Sequence, residues 1–208
     1  MENNIVISTH PYEPYIPDNA TKLIIGSIPP QRFCIKHSII DNDDVKFYYG
    51  SKDNNFWKLI GEVTKEKFTF KNNLEAIKER KEWLLKNNIG ITDIIEVCEH
   101  VGGKATDEAL KIIKYKEIDS ILIKHNQIKT LICTSYFVIK YLKRLLKEKM
   151  NAKYHIDKKD KRKGYISIDG IKKYEIIILY SPSRLALRGM GPNGKDIRKK
   201  QYQDAFEK

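Results

Sequence analysis

Three short apolar runs, each followed by glycine, proline or small polar residues, constrain the fold of this chain most. They are Lys22–Ile25, Ile128–Cys133 and Glu175–Tyr180. Runs of this length between turn-forming residues are typical of buried β-strands. Amphipathic segments that we predict to be helical lie around them: Asn54–Val63, Leu74–Asn87, Tyr115–His125 and Ser135–Met150. This alternation predicts an α/β fold, in which a mostly parallel sheet is covered by helices on both faces.

The last third of the chain has shorter strand-like segments. Tyr154–Ile156 and Tyr165–Ile168 read as strands, and Asp169-Gly170 predicts a hairpin turn after the second of them. The lysine-rich stretch Lys158–Lys163 lies in the loop between the two, where a solvated loop tip and a phosphate-binding role are both open. Asp196–Phe206 predicts a closing basic helix. No repeat or linker divides the chain, so we expect one domain over residues 1–208.

The charge balance favours a polyanionic partner. Lysine and arginine number 39 against 27 acidic residues, which gives a net charge of +12. Such an excess is typical of nucleic-acid-binding domains, although a lysine-rich coding bias also produces it. Cys34, Cys98 and Cys133 form no C-x-x-C pair, which favours a reducing compartment. With no signal-peptide pattern and no apolar run long enough to span a membrane, we expect a cytoplasmic protein.

Polar residues follow the three predicted strands where a parallel sheet binds ligands. These segments are Gly26–Pro30, Cys133–Ser135 and Leu179–Ser183. Because ligands of such sheets lie beyond the carboxyl ends of the strands, we expect the three segments to converge. The loop Lys46–Trp57 adds aromatic rings, a glycine and two amides. Stacking surfaces and amide hydrogen bonds suit a flat polar ring such as a nucleobase.

These segments resemble the motifs of the uracil-DNA glycosylase superfamily, in its mismatch-specific and hypoxanthine branches. Those branches carry a glycine-proline loop, then aromatics, then an asparagine shortly before Phe-Trp. Leu179–Leu185 also resembles the mismatch-glycosylase pattern Leu-Pro-Asn-Pro-Ser-Gly-Leu, and the resemblance covers roughly Lys22–Leu187. It implies a three-layer α/β/α domain with a central, mostly parallel four-stranded sheet. It also implies hydrolysis of the N-glycosidic bond of a flipped-out uracil, hypoxanthine or other altered base in DNA.

The resemblance assigns the positioning of water to Asn54. The first motif of the superfamily commonly has an aspartate or asparagine where this chain has Ile28, whose alkyl group cannot orient water. The hypoxanthine-type branch also lacks that residue and uses the asparagine that matches Asn54, which can hold a water by hydrogen bonds. The adjacent Asp53 would be a base if it points inward. Asn54 is alternatively the N-cap of the following helix.

Base contacts are expected around the strand ends. Tyr49 matches the aromatic that stacks on the flipped base, Tyr48 would do so if the register shifts by one, and either is alternatively a core residue. The backbone of Ser27 and Ile28 would line the site.

Two further strand ends supply polar groups. Thr134, or else Ser135, occupies a position where relatives present base-contacting groups, with helix capping as the alternative. Ser181 matches a position where relatives place a histidine or asparagine that assists the leaving base or the water. A serine hydroxyl is a weaker donor than either.

The loop after Ser181 is expected to face DNA. Leu185 is apolar enough to fill the gap left by an extruded base, and Arg184 can stack or bind phosphate. Ser183, Arg188 and Lys52 complete this predicted DNA-binding set.

No cofactor or metal is expected. The five histidines show no metal-ligand spacing, and only His37 is placed by sequence to reach the site. Three cysteines cannot supply the four ligands of the iron–sulfur branches. No lysine is placed for Schiff-base chemistry, so a monofunctional enzyme is expected.

Two classes of function remain open. The first is a monomeric DNA glycosylase of base excision repair or a related role. The second is a non-catalytic relative that binds nucleic acid or protein, which Ile28 and Ser181 motivate.

Overall fold

The structure is a computed structural model that describes residues 6–100 and 109–207. Its strands are β1 (Val6–Thr9), β2 (Lys22–Gly26), β3 (Ile89–Asp93), β4 (Ile95–His100), β5 (Leu110–Tyr115), β6 (Thr130–Cys133), β7 (Lys153–Ile156), β8 (Lys163–Ile168) and β9 (Lys172–Ile178). Its helices are α1 (Gln31–Cys34), α2 (Phe56–Thr64), α3 (Leu74–Lys86), α4 (Ile118–Lys124), α5 (Tyr136–Met150) and α6 (Gly194–Phe206). A 3-10 helix spans Leu185–Gly189.

Six strands form one mixed sheet in the order β3-β2-β6-β9-β8-β7. The first four are parallel, as the alternation of strands and helices predicted. The expected four-stranded sheet needs correction, because the antiparallel β8 and β7 extend it at one edge. The predicted turn at Asp169-Gly170 makes this extension possible. Both residues have positive φ, 51° and 70°, as a tight hairpin turn requires.

Alternation along the central strands places a hydrophobic core on each face of this sheet. Leu23 and Ile25 of β2 point into one core, and Ile24 points into the other. Helices α4 and α5 cover the first face, and α2, α3 and α6 cover the second. Because side chains of a strand alternate between its faces, a strand buried on both sides is apolar throughout. The result is the predicted three-layer α/β/α arrangement.

A second sheet of β1, β4 and β5 was not predicted. The apolar run at residues 91–97 divides at Ile94, so that β3 and β4 belong to different sheets. Backbone N–H groups of Ile94 and Ile95 donate to the carbonyls of Gly26 and Ser27, at 2.8 Å and 3.1 Å. These two hydrogen bonds connect the loop after β2 with the point at which the chain passes from one sheet to the other. Hydrophobicity does not reveal such a division, because residues 91–95 are buried without interruption across it.

The helix boundaries follow local capping chemistry. Ser135 caps α5 by accepting a hydrogen bond from the Val138 N–H at 3.2 Å, as predicted. Asn73 caps α3 in the same way through the Ala76 N–H at 2.9 Å. Within the described residues, no helix has the length and apolarity that a membrane crossing requires.

Candidate active site

The carboxyl ends of the four parallel strands meet at one edge of the sheet. In the register of the sheet, Gly26 of β2 pairs with Asp93 of β3, and Cys133 of β6 lies beside Ile25 and Ile178. The segments that follow β2, β6 and β9 therefore start side by side. This confirms the predicted convergence and adds a fourth strand end, that of β3.

A tight loop carries Tyr49 over this edge. The Val45 N–H donates to the Gly50 carbonyl at 2.7 Å, and the Trp57 indole N–H donates to the Tyr48 carbonyl at 2.7 Å. Tyr49 itself has φ 55°, which is unusual for a residue with a Cβ. A Cβ on Gly50 would collide with the Val45 carbonyl, so the loop requires glycine there. The strained conformation of Tyr49 is held by the packing around it.

Tyr49 links three parts of the site. Its hydroxyl oxygen is 2.9 Å from Oγ1 of Thr134, at the end of β6. Its ring stacks on Phe56 with centroids 4.4 Å apart and planes 23° apart. Its hydroxyl also lies against the Cα of Gly26, where a Cβ would overlap with it. Tyr49 is half-buried.

Tyr48, Thr134 and Ser135 have structural contacts. Tyr48 is fully buried, and its hydroxyl donates to the Glu13 carbonyl at 3.1 Å. Burial, together with the negative charge of Asp93, raises the pKa of Tyr48. This position does not fit the alternative in which Tyr48 stacks on a base. Thr134 is buried against Tyr49, and Ser135 caps a helix.

Asn54 stands at the junction of two loops. Its Oδ1 accepts a hydrogen bond from the Phe56 N–H at 2.8 Å, which supports the start of α2. Asn54 also forms an antiparallel bridge with Ser183, and the Asn55 N–H donates to the Pro182 carbonyl at 3.1 Å. The N-cap of α2 is Asn55 rather than Asn54, and the hydrogen bond from Phe56 occupies only Oδ1 of Asn54. Nδ2 makes no hydrogen bond to any described residue.

Asp53 points away from this junction. Its side chain is 59% exposed, and its Oδ2 is 3.3 Å from Nη2 of Arg32. The expectation that Asp53 faces inward as a base is therefore corrected. The ordered carboxylate of this loop is Asp44, which is fully buried and accepts two 2.8 Å hydrogen bonds from Arg32 and one from the Lys52 N–H.

Helix α6 fixes the loop after β9. The buried Arg198 donates through Nη1 to the carbonyls of Ser181 and Ser183, at 3.1 Å and 3.0 Å. Gln201 accepts from the Tyr180 N–H at 2.6 Å. Oγ of Ser181 accepts from the Ser183 N–H at 3.3 Å and is half-buried. Arg198 was not predicted to belong to the site, although its spacing from Gln201 places both residues on one face of a helix.

The loop after β2 presents its backbone rather than its side chains. Ile28 packs against the first core, beneath α5, and its side chain takes no part in the site. Ser27 is half-buried, and its carbonyl accepts from Ile95. The observed packing explains why an alkyl group is tolerated at Ile28.

A buried Asp–His pair at the end of β3 was not predicted. Oδ2 of Asp93 is 2.9 Å from Nε2 of His10, and both side chains are almost fully buried. The other oxygen, Oδ1, lies against the Cα of Gly26, close to the Tyr49 hydroxyl. Because a carboxylate only accepts, Nε2 carries the proton of this hydrogen bond. A single aspartate inside an otherwise apolar strand was the available sequence signal.

Lys116 and Tyr12 complete the surroundings of this pair. Nδ1 of His10 lies 2.9 Å from the Tyr12 carbonyl and 3.1 Å from its N–H, so it can donate or accept. Nζ of Lys116 donates to the same carbonyl at 2.7 Å, and burial lowers the pKa of Lys116. His37, the histidine favoured by sequence, is exposed. His10 is the histidine that contacts the site instead.

The predicted DNA-facing residues lie on the surface beside Asn54. Nη2 of Arg184 donates to the Lys52 carbonyl at 2.9 Å, which joins the two loops again. Leu185 is 49% exposed at the start of the 3-10 helix, and Arg188 is exposed within it. Lys52 is paired with Asp41, which reduces the charge that it offers a ligand.

Metal binding and cavities add little to this site. Among residues 6–100 and 109–207, no three His, Cys, Asp or Glu side chains are placed to hold a metal ion. A cavity of about 130 Å³, lined by Asn151, Lys153, Ser167, Asp169 and Gly170, lies at the opposite edge of the sheet.

Comparison with known proteins supports the resemblance drawn from the motifs. No family model matches the chain. A hypoxanthine DNA glycosylase of Methanosarcina barkeri (strain Fusaro / DSM 804) is 30% identical over 115 residues. The match covers 54% of this chain and 60% of that protein, so it spans less than two thirds of the relative.

A solved structure shares the fold. The solution NMR structure of a protein from Methanosarcina acetivorans, provisionally named a uracil DNA glycosylase, superposes with a TM-score of 0.59. The two chains are 16% identical, and the match covers 96% of this chain and 98% of that one. The first comparison supports the resemblance to the hypoxanthine-DNA glycosylase-like branch of the uracil-DNA glycosylase superfamily. The second shows a shared fold alone.

Proposed function

We propose that this protein is a monofunctional DNA glycosylase that hydrolyses the N-glycosidic bond of a deaminated or otherwise altered base. The observation that carries the proposal is the grouping of Asp93, Tyr49 and Thr134 around Gly26, beside the loop of Asn54. A buried carboxylate, an aromatic ring and a free amide at one sheet edge suit a flat polar ring. Uracil and hypoxanthine are the two candidate bases.

Asp93 supplies a reason to prefer deaminated bases. Uracil and hypoxanthine carry a ring N–H beside a carbonyl, where cytosine and adenine carry a ring nitrogen that only accepts. Oδ1 of Asp93 accepts the N–H and repels the acceptor nitrogen. Its hydrogen bond to His10 draws charge away from Oδ1, which reduces the repulsion between this oxygen and the negative charge that develops on the departing ring. The site then selects against cytosine and adenine, because either base would leave the buried carboxylate of Asp93 without a hydrogen-bond partner.

Asn54 and Tyr49 have complementary roles in the proposed reaction. Oδ1 of Asn54 is held by Phe56, which orients Nδ2 toward a water at the sugar carbon. Tyr49 stacks on the base, and Thr134 holds its hydroxyl in place. Backbone N–H groups of the Ser27–Ile28 loop and the Ser181 hydroxyl face the leaving base. No metal or cofactor takes part in these steps.

DNA is the partner in this proposal, and the base is flipped out of the stack to reach the site. Leu185 fills the gap in the duplex, while Ser183, Arg184, Arg188 and Lys52 face the backbone. The enzyme acts as a monomer in the cytoplasm and leaves an abasic site for base excision repair.

A non-catalytic relative is the second candidate. Two observations favour it: Ile28 packs in the core, and Asp53 is exposed and paired with Arg32. Neither position then supplies a base for water. In that case the same edge would bind DNA without reacting.

An excision panel tests both candidates. Duplexes that carry a single uracil, a single hypoxanthine or no altered base are incubated with the protein, treated with alkali and resolved on a denaturing gel. Alkali-dependent strand breaks at the altered base alone support the enzyme. Breaks without alkali would indicate strand cleavage and contradict monofunctionality. Binding to the duplexes with no breaks on any of them would favour the non-catalytic relative.

A further inference from the structure

The hairpin of β7 and β8 brings a second basic element to the edge that holds the candidate site. Because β8 runs antiparallel to β9, the start of β8 lies beside the end of β9, and Lys163 pairs with Ile177. The Ile178 N–H donates to the Arg162 carbonyl at 2.7 Å. The loop between the two strands, residues 157–162, therefore lies next to the loop that contains Ser181.

This loop has an ordered backbone. Oδ1 of Asp157 accepts from the N–H groups of Lys159 and Asp160, at 2.6 Å and 3.1 Å, and these bonds lower the pKa of Asp157. Oδ1 of Asp160 accepts from the Arg162 N–H at 2.9 Å. The two aspartates are thus used within the loop. Three lysines project from it, exposed and without an ion pair in the described part of the chain: Lys158, Lys159 and Lys161.

Arg162 contacts two tyrosine rings. Its guanidinium carbon is 3.4 Å from the ring centroid of Tyr180 and 4.5 Å from that of Tyr136. Its Nη1 donates to the Ile178 carbonyl at 3.3 Å. Tyr180 directly precedes Ser181, and Tyr136 directly follows Ser135, so the stack borders the site on two sides.

Two donor groups of the guanidinium have no protein partner in the described part of the chain. Nε and Nη2 make no hydrogen bond to any described residue. These atoms are not buried polar atoms that lack a hydrogen-bond partner, because Arg162 is half-exposed. A planar donor pair in fixed orientation matches two oxygens of one phosphate.

We propose that Arg162, clamped by Tyr136 and Tyr180, binds a backbone phosphate of DNA next to the nucleotide in the candidate site. The three exposed lysines of the hairpin contact the phosphates that follow. This inference rests on the proposed function, since it takes DNA as the ligand of the edge. It adds a binding surface that is supplied by the hairpin extending the sheet.

Salt dependence of binding tests the lysines. Affinity for an undamaged fluorescent duplex is measured by anisotropy over a range of NaCl concentrations. Each lost phosphate contact should reduce the log–log slope by about 0.9. Replacing Lys158, Lys159 and Lys161 by Gln should therefore lower both the slope and the affinity. A matched triple variant removes the same charge at the opposite edge, at Lys124, Lys129 and Lys153, and should leave the slope near that of the wild type.

Two substitutions test the clamp. Arg162→Gln and Arg162→Lys should each weaken binding about tenfold, the range for a hydrogen bond to a charged group. Lysine keeps the charge but cannot present two donors in a fixed orientation. A loss of affinity in Arg162→Lys therefore separates the effect of donor geometry from the effect of charge. Thermal melting of each variant verifies that the fold is retained.

The outcomes distinguish the two proposals. Equal slopes for the hairpin variant and the wild type would overturn the hairpin surface but leave the proposed function intact. Wild-type affinity in Arg162→Lys would overturn the phosphate clamp. A wild-type protein that binds no duplex even at low salt would overturn the proposed function together with this inference.

Discussion

Asp93 binds His10 through one carboxylate oxygen, with Oδ2 2.9 Å from Nε2, and turns the other oxygen toward Gly26 at the ligand edge of the sheet. The two residues are 83 positions apart in the chain. Both side chains are buried, so the hydrogen bond fixes the direction of the free oxygen. Buried polar pairs of this kind are costly to disturb, because removing one partner leaves the other unsatisfied. This pair is the first target for mutation.

Asp93→Asn should weaken excision without unfolding the protein. The amide keeps the size of the side chain and can accept from His10, but it loses the charge that accepts a ring N–H. Excision of the preferred base should fall about 10- to 100-fold, the range for one hydrogen bond to a charged group. Discrimination against the corresponding undamaged base should fall as well, and single-turnover rates on matched duplexes measure both. Unchanged rates and discrimination would remove Asp93 from base recognition.

His10 should act through Asp93, as a positioning residue. His10→Gln retains a donor for the carboxylate and should change the pH profile of excision more than the maximal rate. His10→Ala leaves the buried carboxylate unpaired and should lower the free energy of unfolding by about 3–5 kcal/mol. Urea denaturation and pH–rate profiles measure these effects. A pH profile in His10→Gln identical to that of the wild type would assign His10 to stability alone.

Asn54→Ala and Asn54→Ser separate catalysis from the support of α2. Both remove Nδ2, whereas serine can still accept from the Phe56 N–H. The alanine variant should lose about 10²-fold or more in excision and about 0.5–2 kcal/mol of stability. The serine variant should recover the stability but not the activity. A serine variant with full excision activity would limit Asn54 to a structural role.

Gly26→Ala should inactivate the site by displacing two side chains. A methyl group there overlaps with Oδ1 of Asp93 and with the Tyr49 hydroxyl, which His10 and Thr134 hold in place. Overpacking of this kind costs about 1–3 kcal/mol. We expect a folded protein with a lower Tm and little excision. Wild-type Tm and activity in this variant would show that the packing around Gly26 is looser than described.

Asp44 should make stability depend on acidic pH. Burial alone would raise its pKa, but hydrogen bonds from Arg32 and the Lys52 N–H outweigh burial and lower the pKa below 3.8. A depressed folded-state pKa contributes stability above the unfolded value, and this stability is lost as the pH falls through the folded pKa. Asp44→Asn should therefore cost about 1–3 kcal/mol at neutral pH, and the difference from the wild type should shrink below pH 3.8. Urea denaturation at several pH values measures this difference in the free energy of unfolding. Asp53→Asn is the exposed control, and its free energy of unfolding should stay within about 0.5 kcal/mol of the wild type.

Periodicity and motif order determined much of the architecture in advance. The three apolar runs became adjacent parallel strands, Ser135 became the cap of α5, and Asp169-Gly170 became a turn. These features depend on local backbone preference and on which side chains are buried, and both leave a regular pattern in the sequence. The convergence of the strand ends followed from the parallel arrangement alone.

Contacts between distant segments were decided by tertiary packing. No local pattern indicates that Asp93 meets His10, or that Asp53 turns outward to Arg32 while Asp44 is buried. The separate sheet of β1, β4 and β5 was equally invisible, because residues 91–95 are buried without interruption across the boundary between β3 and β4. Whether a charged side chain of a loop points outward or is buried depends on the partner that forms a hydrogen bond or an ion pair with it. For this chain, the sequence determined the edge of the sheet at which the candidate site lies, and packing determined which atoms face it.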